Sequence, residues 1–304
     1  MENQTTVPYF LLLEFSQNRH LQLLYFFLFF ILYLATATTN LLIIFIVVFD
    51  HCLHNPMYFF VMNLAVQDLG IVSVIVPKSM INSLIDRRHI SYFGCVAQFF
   101  LFITFEASDF FLLAVMAYDR YVAICRPLHY DMVMNWKACT KIVLLVGVSS
   151  VLYGMLHTIG TFSIPFCSNV VNQFFCEIPH LLNLSCSGFN LVEDVVLVAS
   201  FTGALGCFIL IIVSYVMIFK AVLRIPSVKG RQKTFSTCLP HLIILSILVV
   251  TSCLAYLRPP SNIPSYLDLV FTVLYSLLPP LFNPIIYSIR NKNIKLVLSK
   301  LWKF

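Results

Sequence analysis

Asp119 and Arg120 stand side by side at the end of a long apolar run, within MAYDRYVAICRPLHY, Met116 to Tyr130. Three further acids, Asp68, Glu106 and Asp109, lie inside runs that are otherwise apolar. An ionisable side chain in hydrocarbon is costly, and where one is kept it marks a functional site with a partner. The chemistry such residues offer is switching. A carboxylate beside a guanidinium can tie a helix end in one state and release Arg120 toward a partner in another; the same two residues also suit an arginine snorkelling to the interface beside a solvated neighbour. At about 1.5 Å per residue, Asp68 lies roughly 16 Å along its run from Met57, and Asp109 roughly 16 Å from Arg120. Both are counted from one face, so they reach one depth, where two carboxylates need a shared proton or a bound cation. Alternatively, they act as protonated hydrogen-bonding glue between helices. Asn283 enters its own run from the same side and can join them. Glu106 lies about one turn from Asp109, toward the opposite face, where it meets either a ligand cavity or an internal partner.

The elements that hold these groups follow from composition. Of the 304 residues, 60% are hydrophobic and 11% charged, against roughly a quarter charged in a soluble domain, and the mean hydropathy is +0.91. Apolar residues run along almost the whole chain, leaving no polar half for a second domain. A membrane-spanning helix needs about 20 mostly apolar residues, and seven windows qualify: Leu23 to Val48, Met57 to Leu84, Tyr92 to Ile124, Cys139 to Ser163, Val195 to Leu223, Thr234 to Leu257 and Leu267 to Tyr287. Helices satisfy their own backbone in lipid. The expectation is an all-α membrane protein, a seven-transmembrane helix bundle over residues 23–287, with an outer tail over 1–22 and an inner tail over 288–304.

Most of the 19 Lys and Arg residues fall in the first, third and fifth connections or the C-terminal tail; Arg19, Lys78, Arg87, Arg88 and Arg258 fall in or toward the other side. The positive-inside rule then puts the C-terminus in the cytosol and the N-terminus outside. The start, MENQTTVPYF, lacks the pattern of a removable signal peptide, so the first run is expected to direct insertion. In the tail, Ile294, Val297, Leu298 and Leu301 recur at helical spacing among lysines, which suits a short amphipathic helix on the anionic inner leaflet, with membrane lipid as its partner. The net charge of +6 is scattered between apolar runs, which argues against nucleic acid as a partner. The long outer connection holds Cys167, Cys176 and Cys186, and Cys95 opens the third run on that side. Four thiols outside the cell can form two bridges, in any of three pairings. Asn3 begins a glycosylation sequon, NQT, on the outer tail, and Asn183 begins a second, NLS, close to Cys186.

Several long motifs stand in one order: LHNPMYFF from Leu53, MAYDRYVAIC from Met116, Ser214-Tyr215, KTFSTCLPH from Lys233 and PLFNPIIYSIRN from Pro280. Together they make the chain, from about Phe10 to Lys300, resemble an odorant receptor, a branch of the rhodopsin-like G-protein-coupled receptors. The resemblance implies that Asp119 and Arg120 form an activation lock next to Tyr121, that Tyr215 and His241 belong to the coupling region, and that Asn283, Pro284 and Tyr287 move during switching. It also implies bridges Cys95 to Cys176 and Cys167 to Cys186, and a stimulatory heterotrimeric G protein that raises cyclic AMP from a receptor in sensory cilia. Relatives usually carry Glu where this chain has Asp109, and an aromatic pair where it has Leu248 and Val249, which puts in doubt an aromatic switch at that level.

For a ligand, the outer halves of runs three, five and six supply Phe102, Ile103, Glu106, Ala107, Ser200, Gly203, Ser252 and Tyr256. They would form a mostly apolar cavity with few polar handles, though each also suits plain helix packing. Phe102 occupies the place where amine receptors of the wider family carry an acid, so the expected ligand is a small, largely apolar volatile. No cofactor is implied, and a retinal Schiff base is disfavoured because the seventh run has no Lys. A transporter or channel, or a receptor for a non-odorant ligand, are the alternatives; a transporter would show repeated halves or broken helices with midplane ligands. Neither HExxH nor GxxxxGK[ST] occurs, so an enzyme has little support.

Overall fold

A computed structural model describes residues 7–13, 18–85, 87–186, 191–256, 266–290 and 294. Its helices are α1 Arg19–Phe49, α2 Pro56–Ile85, α3 Tyr92–Cys125, the short α4 Tyr130–Val133, α5 Trp136–Phe162, the short α6 Ile178–Leu182, α7 Leu191–Leu223, α8 Val228–Tyr256 and α9 Tyr266–Arg290. Seven of these, all but α4 and α6, are long and apolar enough to cross a membrane. Helix starts are fixed by polar side chains that accept otherwise orphaned amides. Asn18 accepts from His20 N, Ser91 from Gly94 N and Asn135 from Ala138 N.

The expected spans differ from the helices mainly at their ends. Helix α8 starts at Val228, six residues before the expected Thr234, because the polar stretch KGRQK continues the helix with its side chains largely in water. Likewise α1 begins at Arg19 rather than Leu23, capped by Asn18, and its guanidinium reaches back to the Leu84 carbonyl. The outer tail is not featureless: Tyr9–Leu11 forms strand β1, antiparallel to β2 at His89–Ser91, a small ribbon added to the helical bundle. Phe10 and Leu12 are buried while Tyr9 is exposed and Leu11 half-buried, the period-two alternation of a half-buried strand. Of the expected inner tail helix, Ile294 is described, helical and buried; the rest lies outside the described residues, as does Asn3.

Prolines inside α9 release carbonyls that must find other donors in an apolar medium. Pro284 has no N–H for the Pro280 carbonyl, and Asn40 of α1 supplies it, donating from Nδ2 at 3.0 Å. Helices α2, α3 and α5 approach closely at two glycines. A Cβ on Gly70 would sit 2.8 Å from the Phe105 ring, and one on Gly154 would sit 2.2 Å from Thr104 Oγ1 and 3.2 Å from the Phe100 carbonyl. By contrast, a Cβ on Gly203 meets nothing within 4 Å. Gly154→Ala is therefore expected to destabilise the folded chain by about 1–3 kcal/mol through overpacking, read as a lower thermal midpoint in detergent. Thr104→Ala in the same chain should restore part of the loss, and Gly203→Ala, with open space for its Cβ and a better helix former in place, should not lower the midpoint.

Candidate functional site

Three polar sites are strung along α3. Nearest the disulfides, Cys95 at the start of α3 is bonded to Cys176, and Cys167 to Cys186. The first bridge pulls the connection before α6 down onto the bundle, and its polar groups become internal. Gln98 accepts from Cys176 N at 3.0 Å and donates to the Val74 carbonyl at 3.1 Å. Gln173 donates to Thr272 Oγ1 at 2.8 Å, and the Tyr275 hydroxyl donates to the Glu177 carboxylate. Sequence reasoning missed Gln98, Gln173 and Glu177; the signal available was their closeness in sequence to Cys95 and Cys176.

Below this lid lie the residues expected to take a ligand. Phe102 is buried, its ring edge-on to Phe175 at 4.8 Å, and Ile103 and Ala107 are buried beside it. Glu106 is half-buried and lies within electrostatic reach of Glu177 and Asp109. Ser200 on α7 is bonded to His157 Nε2 of α5 at 2.7 Å, and the His157 ring lies 4.6 Å from that of Tyr153. His157 was not foreseen, since nothing in sequence distinguishes it from a satisfied core histidine. Ser252 is half-buried and Gly203 is exposed, so Gly203 stands apart from the packed set. The Tyr256 side chain lies outside what is described.

Midway along the bundle, Asp68 is fully buried and accepts two bonds from Asn283 Nδ2, at 3.0 Å to Oδ1 and 3.1 Å to Oδ2. Asp109 is buried at 3% exposure and acts electrostatically on Asp68, but makes no hydrogen bond to it among the described residues; its Oδ1 has no hydrogen-bond partner. One residue further along α9, Pro284 frees the carbonyl that Asn40 holds, so α1, α2 and α9 meet at one knot. The Tyr287 hydroxyl reaches Met116 Sδ at 3.9 Å, the next layer down.

At the far end, Arg120 Nη2 stands 3.4 Å from Asp119 Oδ2, with side-chain exposures of 13% and 2%. The Tyr130 hydroxyl donates to Asp119 Oδ1 at 2.9 Å. Burial, and then the neighbouring Asp119, push the Tyr130 phenol well above the ordinary tyrosine range, so it remains a donor throughout physiological pH. Arg120 also acts electrostatically on Tyr215, His241 and Tyr287. Tyr215 Oη and His241 Nδ1 are 2.5 Å apart with their rings stacked at 5.7 Å, and Tyr121 lies under Arg126, 6.0 Å from its guanidinium carbon. Asp119 therefore has two claimants, Arg120 and Tyr130, and the second was not anticipated. Among the described residues no cluster of three or more His, Cys, Asp or Glu could hold a metal ion.

The sequence model of the olfactory receptor family matches residues 29–303. The chain belongs to the olfactory receptor family. It is 46% identical over 305 residues to olfactory receptor 14A16 of Homo sapiens, covering 100% of this chain and 98% of the relative. It is 48% identical over 304 residues to the human olfactory receptor 14I1, covering 99% and 97%. Among solved structures, squid rhodopsin superposes with a TM-score of 0.76 at 16% identity, covering 95% of the receptor and 87% of the rhodopsin, which shows the shared seven-helix fold. This olfactory receptor is thus a multi-pass membrane receptor of the G-protein-coupled fold rather than an enzyme. Asn283→Ala should leave the buried Asp68 carboxyl without its donors and cost the receptor about 1–3 kcal/mol, seen as a lower midpoint of thermal unfolding; an unchanged midpoint would show that the knot does not stabilise the fold.

Proposed function

We propose that the receptor binds small, largely apolar volatiles among Phe102, Ile103, Glu106, Ala107, Ser200, Ser252 and Tyr256, with Gly203 at the edge, and activates a stimulatory heterotrimeric G protein that raises cyclic AMP. The observation that carries this reading is the arrangement along α3. Buried apolar residues Phe102, Ile103 and Ala107 under a packed lid at one end and a buried, two-claimant ion pair at the other lie along this one helix, with the Asp68–Asn283 knot at a depth between them. In this reading the N-terminus and disulfides face outside, the C-terminus faces the cytosol, and the sensory membrane is ciliary, as the positive-inside bias and the family support.

A ligand wedged beside Phe102 and Ser200 bears on α3 and α7 together. Since packed interfaces have discrete arrangements rather than a continuum, pressure there favours a state in which α9 bends at its prolines and Arg120 leaves Asp119. Arg120, Tyr215 and His241 then present their polar groups to the G protein. Asp68, Asp109 and Asn283 form the polar network whose occupancy and proton content bias the two states, because two close buried carboxylates do not both ionise freely. Tyr130 stays with Asp119 and keeps that carboxylate from being left buried and unpaired when Arg120 departs.

The test is expression of the full receptor with a cyclic AMP reporter and a broad odorant panel. One or more volatiles should raise cyclic AMP. Arg120→Glu should abolish the response at equal surface delivery, and Phe102→Ala should shift the half-maximal concentration by about tenfold or more, as expected for loss of a buried aromatic contact. A receptor delivered to the surface and silent to the whole panel, with basal cyclic AMP indifferent to Arg120→Glu, would overturn the assignment.

A further inference from the structure

The end of the bundle that carries both disulfides is covered. Strand β1 lies across it, paired with β2 on one side and bridged through Leu11 to Val170 on the other. The backbone amides of Leu12 and Leu13 donate to the carbonyls of Arg88 and Gln173. Phe10, Leu12, Phe174 and Phe175 are buried in this layer. The Phe175 ring sits directly on Phe102, so a ligand approaching from outside water meets a packed apolar lid rather than an open mouth.

The side between α7 and α8 is built differently along its length. Toward the Asp119 end the two helices are zipped. Phe219 meets Phe235 edge-on at 6.1 Å, Tyr215 bonds His241, and Ile218, Val222 and Cys238 bury one another. Ile211, Ile244 and Leu245 continue the contact into the main core. The face of α7 that carries Tyr215 runs on toward the disulfide end through Phe208, Ala204 and Phe201, at helical spacing. There the seam parts: all three are exposed, Phe201 by 72%. On α8 at that level Ser252 is half-buried and Cys253 exposed. Among the described residues, no hydrogen bond or ring pair joins the two helices on the disulfide side of Tyr215. Helix α7 has 33 residues and its midpoint at Cys207; Phe201 and Ala204 lie about 9 and 5 Å to the disulfide side of it, which places the parted seam in the outer half of the bundle in the orientation proposed above.

We propose that the gap between the outer halves of α7 and α8, flanked by Phe201, Ala204 and Ser252, is a lateral portal through which small apolar ligands pass from the outer leaflet into the cavity beside Phe102 and Ile103. The proposal rests on the ligand cavity and the orientation proposed above. An apolar solute concentrates in hydrocarbon, because leaving water is what drives it there. The membrane is therefore the phase from which such a ligand is delivered, and an exposed phenyl ring and a small alanine at the gap offer it an apolar surface to slide over. The lid then keeps water out of the cavity, and the seam admits the ligand.

The experiment uses the full receptor in phosphatidylcholine vesicles and the apolar photoreactive probe 3-trifluoromethyl-3-phenyldiazirine, activated after brief exposure, with insertion sites mapped by peptide mass spectrometry. Labelling is expected at Phe102 or Ile103, competed by excess trifluoromethylbenzene. Ala204→Trp fills the gap and should slow this interior labelling about fivefold or more, while labelling of the outward-facing Leu144 and Val148 on α5, both well exposed, stays constant. Phe201→Ala widens the gap and should speed interior labelling, so the result does not hang on one variant. Interior labelling that proceeds at the same rate in both variants overturns the portal and leaves the cavity standing. Failure of the interior to label in any variant overturns the cavity and the portal together. None of these readings requires an active odorant, so they are separate from the cyclic AMP result.

Discussion

A buried carboxyl has to be answered by a donor, and in this receptor the answer to Asp68 is the amide of Asn283. The rest of the architecture depends on that constraint. Asn283 can reach Asp68 only if α9 lies against α2, and the proline that follows it frees a carbonyl that brings in Asn40 from α1. Three helices are thereby locked at one depth by polar groups that would be expensive if left alone in an apolar interior. Apolar packing supplies the bulk of cohesion, but it is indifferent to rotation or sliding of one greasy helix against another. The polar knot sets the register.

Helix α3 passes this knot and carries polar groups on both sides of it. Toward the disulfides it presents Phe102 and Glu106 under a lid drawn down by Cys95 and Cys176; toward the other end it presents Asp119 and Arg120. A single rigid helix in contact with the lid, the knot and the lock gives events at one end a mechanical route to the other. The route is physical rather than statistical: it runs through packed and hydrogen-bonded side chains, and at its far end Asp119 is held by Arg120 and Tyr130 together. Unequal packing of α7 complements this. It is bound to α8 near Asp119 and parted from it toward the disulfides, so the half of the bundle proposed to meet the ligand is the half least held.

Much of this was legible in the sequence, for physical reasons. Seven spans follow from the length of apolar runs, and the common depth of Asp68 and Asp109 follows from helical rise, which needs no tertiary knowledge. The motifs that resemble odorant receptors pointed to the family to which the chain belongs. Other features were hidden. Strand β1 is only three residues, too short for its alternation to register before its partners on β2 and at Val170 are known. The extension of α8 to Val228 is polar, so hydropathy did not see it. Gln98, Gln173, His157 and Glu177 look like ordinary loop or core residues until a disulfide or a neighbouring helix supplies their partner. Asp68 and Asp109 were expected at one depth, with a shared proton or a cation between them and Asn283 at hand; Asn283 donates to Asp68, and Asp109 lies within electrostatic reach of that carboxyl.

The central claim is that the Asp68–Asn283 tie sets the balance between two arrangements of the bundle. Its most direct test is a distance distribution between spin labels at Lys137 and Lys229, both exposed at the Asp119 end of α5 and α8, measured by pulsed electron resonance in lipid nanodiscs. Asn283→Ala is predicted to shift or broaden the distribution relative to the parent receptor. A distribution that is unchanged, in protein that remains folded, would contradict the account.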